Sequence, residues 1–217
     1  MSAGLGALSH RTRPAEGNAE GALVLFHGRG VDERDLAPLL GELDPSARLL
    51  GLAPRGPLSF GPGGGSHWYA VRQVGHPDHD TFMTTYELVA EWIDSLPGAL
   101  GIPIERIVLG GFSQGGVMAY ALGLGRGRPR PAGILALSCF MPSVDGFELN
   151  LDDLDGFPVS IAHGAHDPII GVEFGREARK RLEAAGAAVS YHETSITHGI
   201  DPAVVPALAG WLAALPG

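Results

Sequence analysis

Leu109-Gly110-Gly111-Phe112-Ser113-Gln114-Gly115-Gly116 is the stretch whose reading decides the fold. An apolar run, 107–109, leads into it, and a helix-like run, 117–124, leads out. Between them lies G-x-S-x-G, with Ser113 at the tip and Gly111 and Gly115 two residues to either side. A strand that turns this sharply into a helix crowds its own backbone, so the flanking positions need little or no side chain. The turn lifts the serine hydroxyl out of the fold. The N-terminus of the following helix aims N–H groups and a partial positive charge at the same place. A serine nucleophile needs this arrangement, and the chain reads as a serine hydrolase.

Outward from the turn, short apolar runs alternate with helix-like segments. Ala22-Leu23-Val24-Leu25-Phe26 has the continuous apolarity of a strand buried on both faces and stops at His27-Gly28-Arg29-Gly30. Asp32 and Glu33 are expected to open a helix reaching about Gly41, with acids in its first turn. Further strands are expected at 48–53, 104–109, 134–137, 159–162 and 188–192, and helices at 81–97, 173–185 and 202–215. Residues 55–80 read as structureless around Gly61-Pro62-Gly63-Gly64-Gly65 and His67-Trp68-Tyr69. A stretch of that length in a compact domain is usually functional. The alternation predicts an α/β fold, a mostly parallel central sheet with helices on both faces. Residues 1–20 read as a loose lead-in and 21–217 as a single domain. The loops after residues 26, 112, 162 and 192 all follow strands, so they are expected to converge on one edge of the sheet, where such folds bind ligands.

Composition narrows the function. The 217 residues are 45% hydrophobic and carry a formal net charge of −9 without a Lys/Arg block, which argues against a nucleic-acid partner. Arg126-Gly127-Arg128-Pro129-Arg130 reads as a solvated loop. Cys139, the lone cysteine, ends an apolar strand and reads as a small buried hydrophobe. The first 20 residues lack an apolar signal-like region, and no stretch approaches the roughly 20 apolar residues of a membrane span. The expectation is a cytoplasmic protein without a membrane span.

A serine hydroxyl needs a base, and the base needs an orienting acid. His198 lies in the last strand-to-helix loop and Asp167 at a strand end, giving the order Ser, Asp, His. Asp201 and Asp155 are rival acids, and Asp167 also fits a helix cap. His198 would take the Ser113 proton and later protonate the leaving group, so activity should rise with pH as it deprotonates. The oxyanion needs fixed donors: the backbone N–H of Gln114, which follows the nucleophile, and that of Arg29 in the glycine-flanked loop. His27 reads as a structural residue of that loop. Trp68 is read as lining the substrate pocket, with ordinary core as its alternative. His76-Pro77-Asp78-His79 and His163-Gly164-Ala165-His166-Asp167 offer histidine pairs, but neither has the spacing and helical placement of a zinc signature, so neither metal nor cofactor is expected. The glycines around Ser113 fit neither G-x-G-x-x-G nor a P-loop, which sets nucleotide binding aside. A non-catalytic α/β binding protein that keeps the turn is the rival from another class.

Phe26-His27-Gly28-Arg29-Gly30, Gly111-Phe112-Ser113-Gln114-Gly115-Gly116, His163-Gly164-Ala165-His166-Asp167-Pro168 and Thr197-His198-Gly199 together resemble the phospholipase/carboxylesterase family of α/β-hydrolases, the bacterial carboxylesterases and acyl-protein thioesterases. The resemblance runs from about residue 20 to the C-terminus. It implies an α/β-hydrolase fold without a large cap domain, cleaving short- to medium-chain carboxylic esters and sometimes thioesters, often as a homodimer. Lysophospholipase and lactone hydrolysis are alternatives on the same fold. By motif, Ser113, Asp167 and His198 take the triad roles, Arg29 and Gln114 the oxyanion positions, and Trp68 an aromatic position of the acyl site. The chain departs from many relatives in having Arg29 where they carry Leu, and Gly199 after the histidine where they carry Glu.

Overall fold

Period-two alternation sorts the apolar runs onto two faces of a sheet. The computed structural model describes residues 8–215. The chain runs β1 (His10–Arg13), β2 (Gly21–Phe26), α1 (Ala37–Leu43), β3 (Leu49–Pro54), β4 (Leu58–Ser59), β5 (Ser66–His67), β6 (Val71–Gln73), β7 (His76–Pro77), α2 (His79–Leu100), β8 (Ile107–Phe112), α3 (Gln114–Leu124), β9 (Gly133–Leu137), β10 (Pro158–Gly164), α4 (Val172–Ala184), β11 (Ala188–Thr194) and α5 (Val205–Ala213). In β2, Ala22, Val24 and Phe26 enter one buried cluster, while Leu23 and Leu25 enter the other. In β9, Ile134 and Ala136 divide from Leu135 and Leu137 in the same way. Helices α2, α3 and α4 cover the first face through Trp92, Ile93, Tyr120 and Leu182. Helices α1 and α5 cover the second through Leu39, Leu40, Leu43, Leu208 and Leu212. Every residue of α3 is buried, and after Gln114 at its start the helix shows no polar face.

The sheet order is β1-β3-β2-β8-β9-β10-β11. All neighbours are parallel except β1 against β3. After β3 the chain crosses back over β2 to start β8, so the strand order reverses between β2 and β8. The crevice beyond the carboxyl ends of those two strands is the switch point at which open α/β sheets bind ligands. His27–Arg29 follow β2 and Ser113 follows β8.

Four expectations change. The strand expected at 104–109 runs instead over Ile107–Phe112, after a single 3-10 turn at Ile104–Arg106 that follows Pro103. Strand β1 falls inside the stretch read as a loose lead-in; that stretch's first seven residues lie outside the described residues. It is a polar edge strand, invisible to hydrophobic periodicity, and Arg13 holds it by donating to Asp44 Oδ2 (2.6 Å) and to the Leu49 carbonyl (2.9 Å). Helix α1 starts at Ala37 rather than Asp32. Asp32 instead accepts the Arg34 N–H at 2.9 Å in a turn, and the Arg55 guanidinium lies 3.3 Å from Asp32 and 3.0 Å from Glu33. Residues 55–80 hold two short hairpins, β4–β5 and β6–β7. Gly61 and Gly63 at the tip of the first and Gly75 in the second have φ values of 101°, 73° and 84°, which glycine adopts freely.

Candidate active site

Ser113 sits between β8 and α3 with φ 54° and ψ −121°. A non-glycine residue there carries strain of about 1–3 kcal/mol and persists only where its surroundings over-determine it. The neighbours do so. A Cβ at Gly115 would overlap the Phe26 carbonyl and lie 2.7 Å from the His27 oxygen; one at Gly111 would lie 2.5 Å from the Gly115 oxygen. At Gly116 it would meet Cys139 Sγ at 2.5 Å. Cys139 is buried, and burial pushes its thiol pKa up, as befits an inert packing residue.

The structure brings Ser113, His198 and Asp167 together. The His198 Nδ1–H donates to Asp167 Oδ2 at 2.6 Å. With the proton on Nδ1, His198 Nε2 is left to accept from Ser113 Oγ at 3.0 Å. The side chain of Asp167 is wholly buried, and its Oδ1 accepts the backbone N–H groups of Ile169 (2.8 Å) and Ile170 (2.9 Å). Behind it, the buried His163 Nε2–H donates to the Ile170 carbonyl at 2.8 Å, which ties down the same loop. His198 is also held by the Phe112 ring, 4.8 Å away centroid to centroid, and by Ser138, whose hydroxyl donates to the Gly199 carbonyl at 2.9 Å. Sequence reasoning missed Ser138; a serine after an apolar strand gives no signal of a partner 61 residues away. The rival acids lie elsewhere. Asp201 accepts the Ala203 N–H at 2.9 Å, and Asp155 precedes β10, at the opposite end of that strand.

The loop after β2 is pinned from several sides. The Gly56 N–H donates to His27 Nε2 (2.9 Å), so Nδ1–H donates to the Gly28 carbonyl (2.6 Å). Burial lowers the pKa of His27, partly offset by that carbonyl. The Gly30 N–H donates to Ser66 O at 2.8 Å, and the Ser66 N–H to Val31 O at 2.7 Å, so hairpin β4–β5 clasps the loop. The Arg29 guanidinium lies 4.9 Å above the Phe60 ring, which in turn packs on His67 at 4.3 Å. Among the described residues, no group accepts from the backbone N–H of Arg29 or Gln114.

Ser113, Gln114, His198, Gly28 and Arg29 all line one cavity of about 450 Å³. The rest of its wall is mostly apolar: Val31, Tyr69, Val71, Val74, Pro77, Phe112, Phe140, Ile169 and Ile170, with Asp35 and Gln73 among them. This size and lining suit a small apolar ligand. Trp68 is a correction. It is fully buried and absent from the cavity wall, because its indole Nε1–H turns inward to the His27 carbonyl at 2.8 Å. Its neighbour Tyr69 lines the cavity instead. Among the described residues, no group of three His, Cys, Asp or Glu side chains is placed to hold a metal ion, and no helix is long and apolar enough to cross a membrane.

Residues 9–215 match the family model described as Phospholipase/Carboxylesterase. The acyl-protein thioesterase 1 of Candida albicans is 29% identical over 191 residues, covering 80% of this chain and 82% of the relative. That of Cryptococcus neoformans var. neoformans serotype D is 30% identical over 177 residues, covering 74% and 72%. The fold is similar to that of the Bacillus cereus carboxylesterase, with TM-score 0.82 and 24% identity over 95% of this chain and 93% of that one. The Mesorhizobium loti carboxylesterase gives TM-score 0.81 and 23% identity over 96% and 95%. With the matched model spanning almost the whole described chain, the protein belongs to the phospholipase/carboxylesterase family of α/β-hydrolases.

Proposed function

We propose that the protein is a serine carboxylesterase that cleaves short- to medium-chain esters through an acyl-enzyme on Ser113. The observation that carries this is the run of contacts from Ser113 Oγ to His198 (3.0 Å) and on to Asp167 (2.6 Å) at the wall of a mostly apolar cavity. Ser113 Oγ attacks the ester carbonyl carbon as its proton passes to His198 Nε2. Asp167 holds the imidazole in the required tautomer and stabilises the imidazolium. The oxyanion takes the backbone N–H groups of Arg29 and Gln114 as donors; loss of one such donor typically lowers the rate about a hundred- to a thousandfold. The proton on Nε2 then goes to the departing alkoxide. Water then attacks the acyl carbon as one of its protons passes to the same nitrogen; the bond from the acyl carbon to Ser113 Oγ breaks, the proton returns from Nε2 to Oγ, and the acid and free Ser113 are released. The apolar wall formed by Tyr69, Phe140, Ile169 and Ile170 would receive the acyl chain.

This chemistry needs neither metal nor cofactor and sits on one domain. A cytoplasmic location and homodimer assembly carry over as expectations from composition and resemblance. The names of the fungal relatives favour a second substrate class, thioesters. The test is hydrolysis of p-nitrophenyl acetate and butyrate, with labelling by a fluorophosphonate read by mass spectrometry. The parent should hydrolyse both esters and label on Ser113, whereas Ser113→Ala should do neither while keeping its fold. Retained turnover in Ser113→Ala sinks the assignment. A matched oxygen ester and thioester of one acyl chain decide between the two classes.

A further inference from the structure

The two backbone donors belong to different elements. Arg29 follows β2, and Gln114 opens α3. The ladder between β2 and β8 ends with Phe26 opposite Gly111, so sheet pairing does not reach either donor. Trp68 does connect the two segments. Its indole Nε1–H donates to the His27 carbonyl at 2.8 Å, two residues before Arg29. Its backbone N–H donates to Gln114 Oε1 at 3.1 Å. Gln114 Nε2–H returns a bond to the Tyr69 carbonyl at 2.9 Å, so the side-chain amide pairs with the 68–69 backbone as a second strand would. Trp68 is fully buried, edge-on to Phe26 at 5.3 Å and 5.0 Å from the His27 ring. A buried, hydrogen-bonded network of this kind favours one geometry and is disturbed by loss of any member.

We propose that Trp68 and the Gln114 side chain form a brace that sets the spacing between the Arg29 and Gln114 backbone N–H groups. They are positioning residues: neither side chain touches the reacting atoms. The proposal rests on the serine-esterase assignment above and deepens it. Both donors remain in any side-chain variant, so the effect comes only from displacement. A displacement near 1 Å costs about a hundredfold in rate.

The test uses the whole chain carrying Trp68→Phe, Gln114→Met or both. Trp68→Phe keeps a buried ring and removes the bond to His27. Gln114→Met keeps length and the backbone N–H but removes both amide bonds. With p-nitrophenyl acetate, whose acyl group is too short to use the cavity wall, kcat should fall about ten- to a hundredfold in each variant and KM should hold within about threefold. Affinity for phenylboronic acid, which forms a tetrahedral adduct on the serine, should fall by the same factor as kcat. The shape of the pH–rate profile should not change, because His198 and Asp167 are untouched. The double variant should lose no more than the worse single one, since both act on one spacing. Trp68→Phe leaves a smaller side chain in the core; should it fail to fold, Gln114→Met carries the same test. Unchanged kcat per folded molecule, with only the melting temperature lowered, overturns the brace. So does a fall in kcat without loss of phenylboronic acid affinity. Fluorophosphonate labelling of the parent separates the two ideas. A labelled parent with unaffected variants overturns the brace alone, and an unlabelled parent overturns the esterase assignment and the brace with it.

Discussion

Replacing Asp167 by Asn is the most informative single change, because the surrounding hydrogen bonds dictate how the amide must lie. Asp167 Oδ1 accepts two backbone N–H groups, from Ile169 at 2.8 Å and Ile170 at 2.9 Å, while Oδ2 faces His198 Nδ1 at 2.6 Å. In Asp167→Asn the carbonyl oxygen must keep the Oδ1 position. The opposite orientation would set the NH2 group against both N–H donors and leave each unpaired, at about 1–3 kcal/mol apiece. The NH2 group therefore faces His198 and donates to Nδ1. That nitrogen must then be unprotonated, so the proton moves to Nε2, which loses its capacity to accept from Ser113. The fold is kept and the tautomer is wrong. The expected loss in kcat is about ten-thousandfold, or roughly 5.5 kcal/mol of barrier. Thermal unfolding should change little, because the two backbone bonds survive. Asp201→Asn is the control; its carboxylate serves only a local turn, and activity should stay within about twofold of the parent. The assay is p-nitrophenyl butyrate hydrolysis alongside a melting curve. An Asp167→Asn enzyme within about tenfold of the parent refutes the orienting role. An inactive variant with a collapsed melting temperature refutes the amide orientation.

Two further predictions concern the turn and its neighbour. Gly111→Ala places a Cβ 2.5 Å from the Gly115 oxygen, below the 3.0 Å floor of real Cβ contacts, so the start of α3 must retreat; Gly28→Ala presses on the Phe112 ring edge, at 3.0 Å, and makes an ordinary contact with Ser113 Cβ, at 3.7 Å. A ring can turn aside and a backbone carbonyl cannot, so Gly111→Ala should lose about tenfold or more in kcat/KM and Gly28→Ala less; the reverse order in ester kinetics would refute the steric account. Burial holds His27 below the usual histidine value of 6.5, so below that pH the unfolded chain binds a proton that the folded chain does not. Its stabilising contribution is thus present above pH 6.5 and is lost as the pH falls. Urea midpoints should drop more between pH 7.5 and pH 5.5 in the parent than in His27→Gln, and equal drops would refute it.

What was legible in the sequence follows from the range of the interactions involved. The buried strands and the helices of the sheet declare themselves because each needs an apolar face, and apolar spacing is written locally. Ser113 was legible for a steric reason: the crowding at Phe26 and His27 permits only glycine at 115. Chain order and strand ends singled out His198 and Asp167, which the structure places within hydrogen-bond reach of one another. Strand β1 was not legible, since its stability comes from pairing with β3 and from Arg13 rather than from apolar residues. The start of α1 was misplaced because Asp32 and Glu33 look like first-turn acids, whereas Arg55, more than 20 residues away, engages both. Trp68 looked like a pocket residue from its place in a glycine-rich stretch. Its direction depends on the His27 carbonyl, 41 residues earlier, which no local pattern reveals.

The placement of these residues separates two tasks. Ser113, Asp167, His198 and Arg29 all stand in loops just past the ends of sheet strands, carried by a sheet that is packed between two helix layers. Much of the apolar wall instead comes from the stretch around β6 and β7, a two-stranded hairpin outside the main sheet, through Val71, Val74 and Pro77. A hairpin this short has few bonds of its own and little stability apart from what it packs on. Substitutions there can reshape the cavity without moving the strand ends. Between the two lies residue 69, a cavity-wall tyrosine whose own carbonyl is held by Gln114. Position 69 is therefore where a change made to alter acyl preference should also begin to alter the rate of the chemical step.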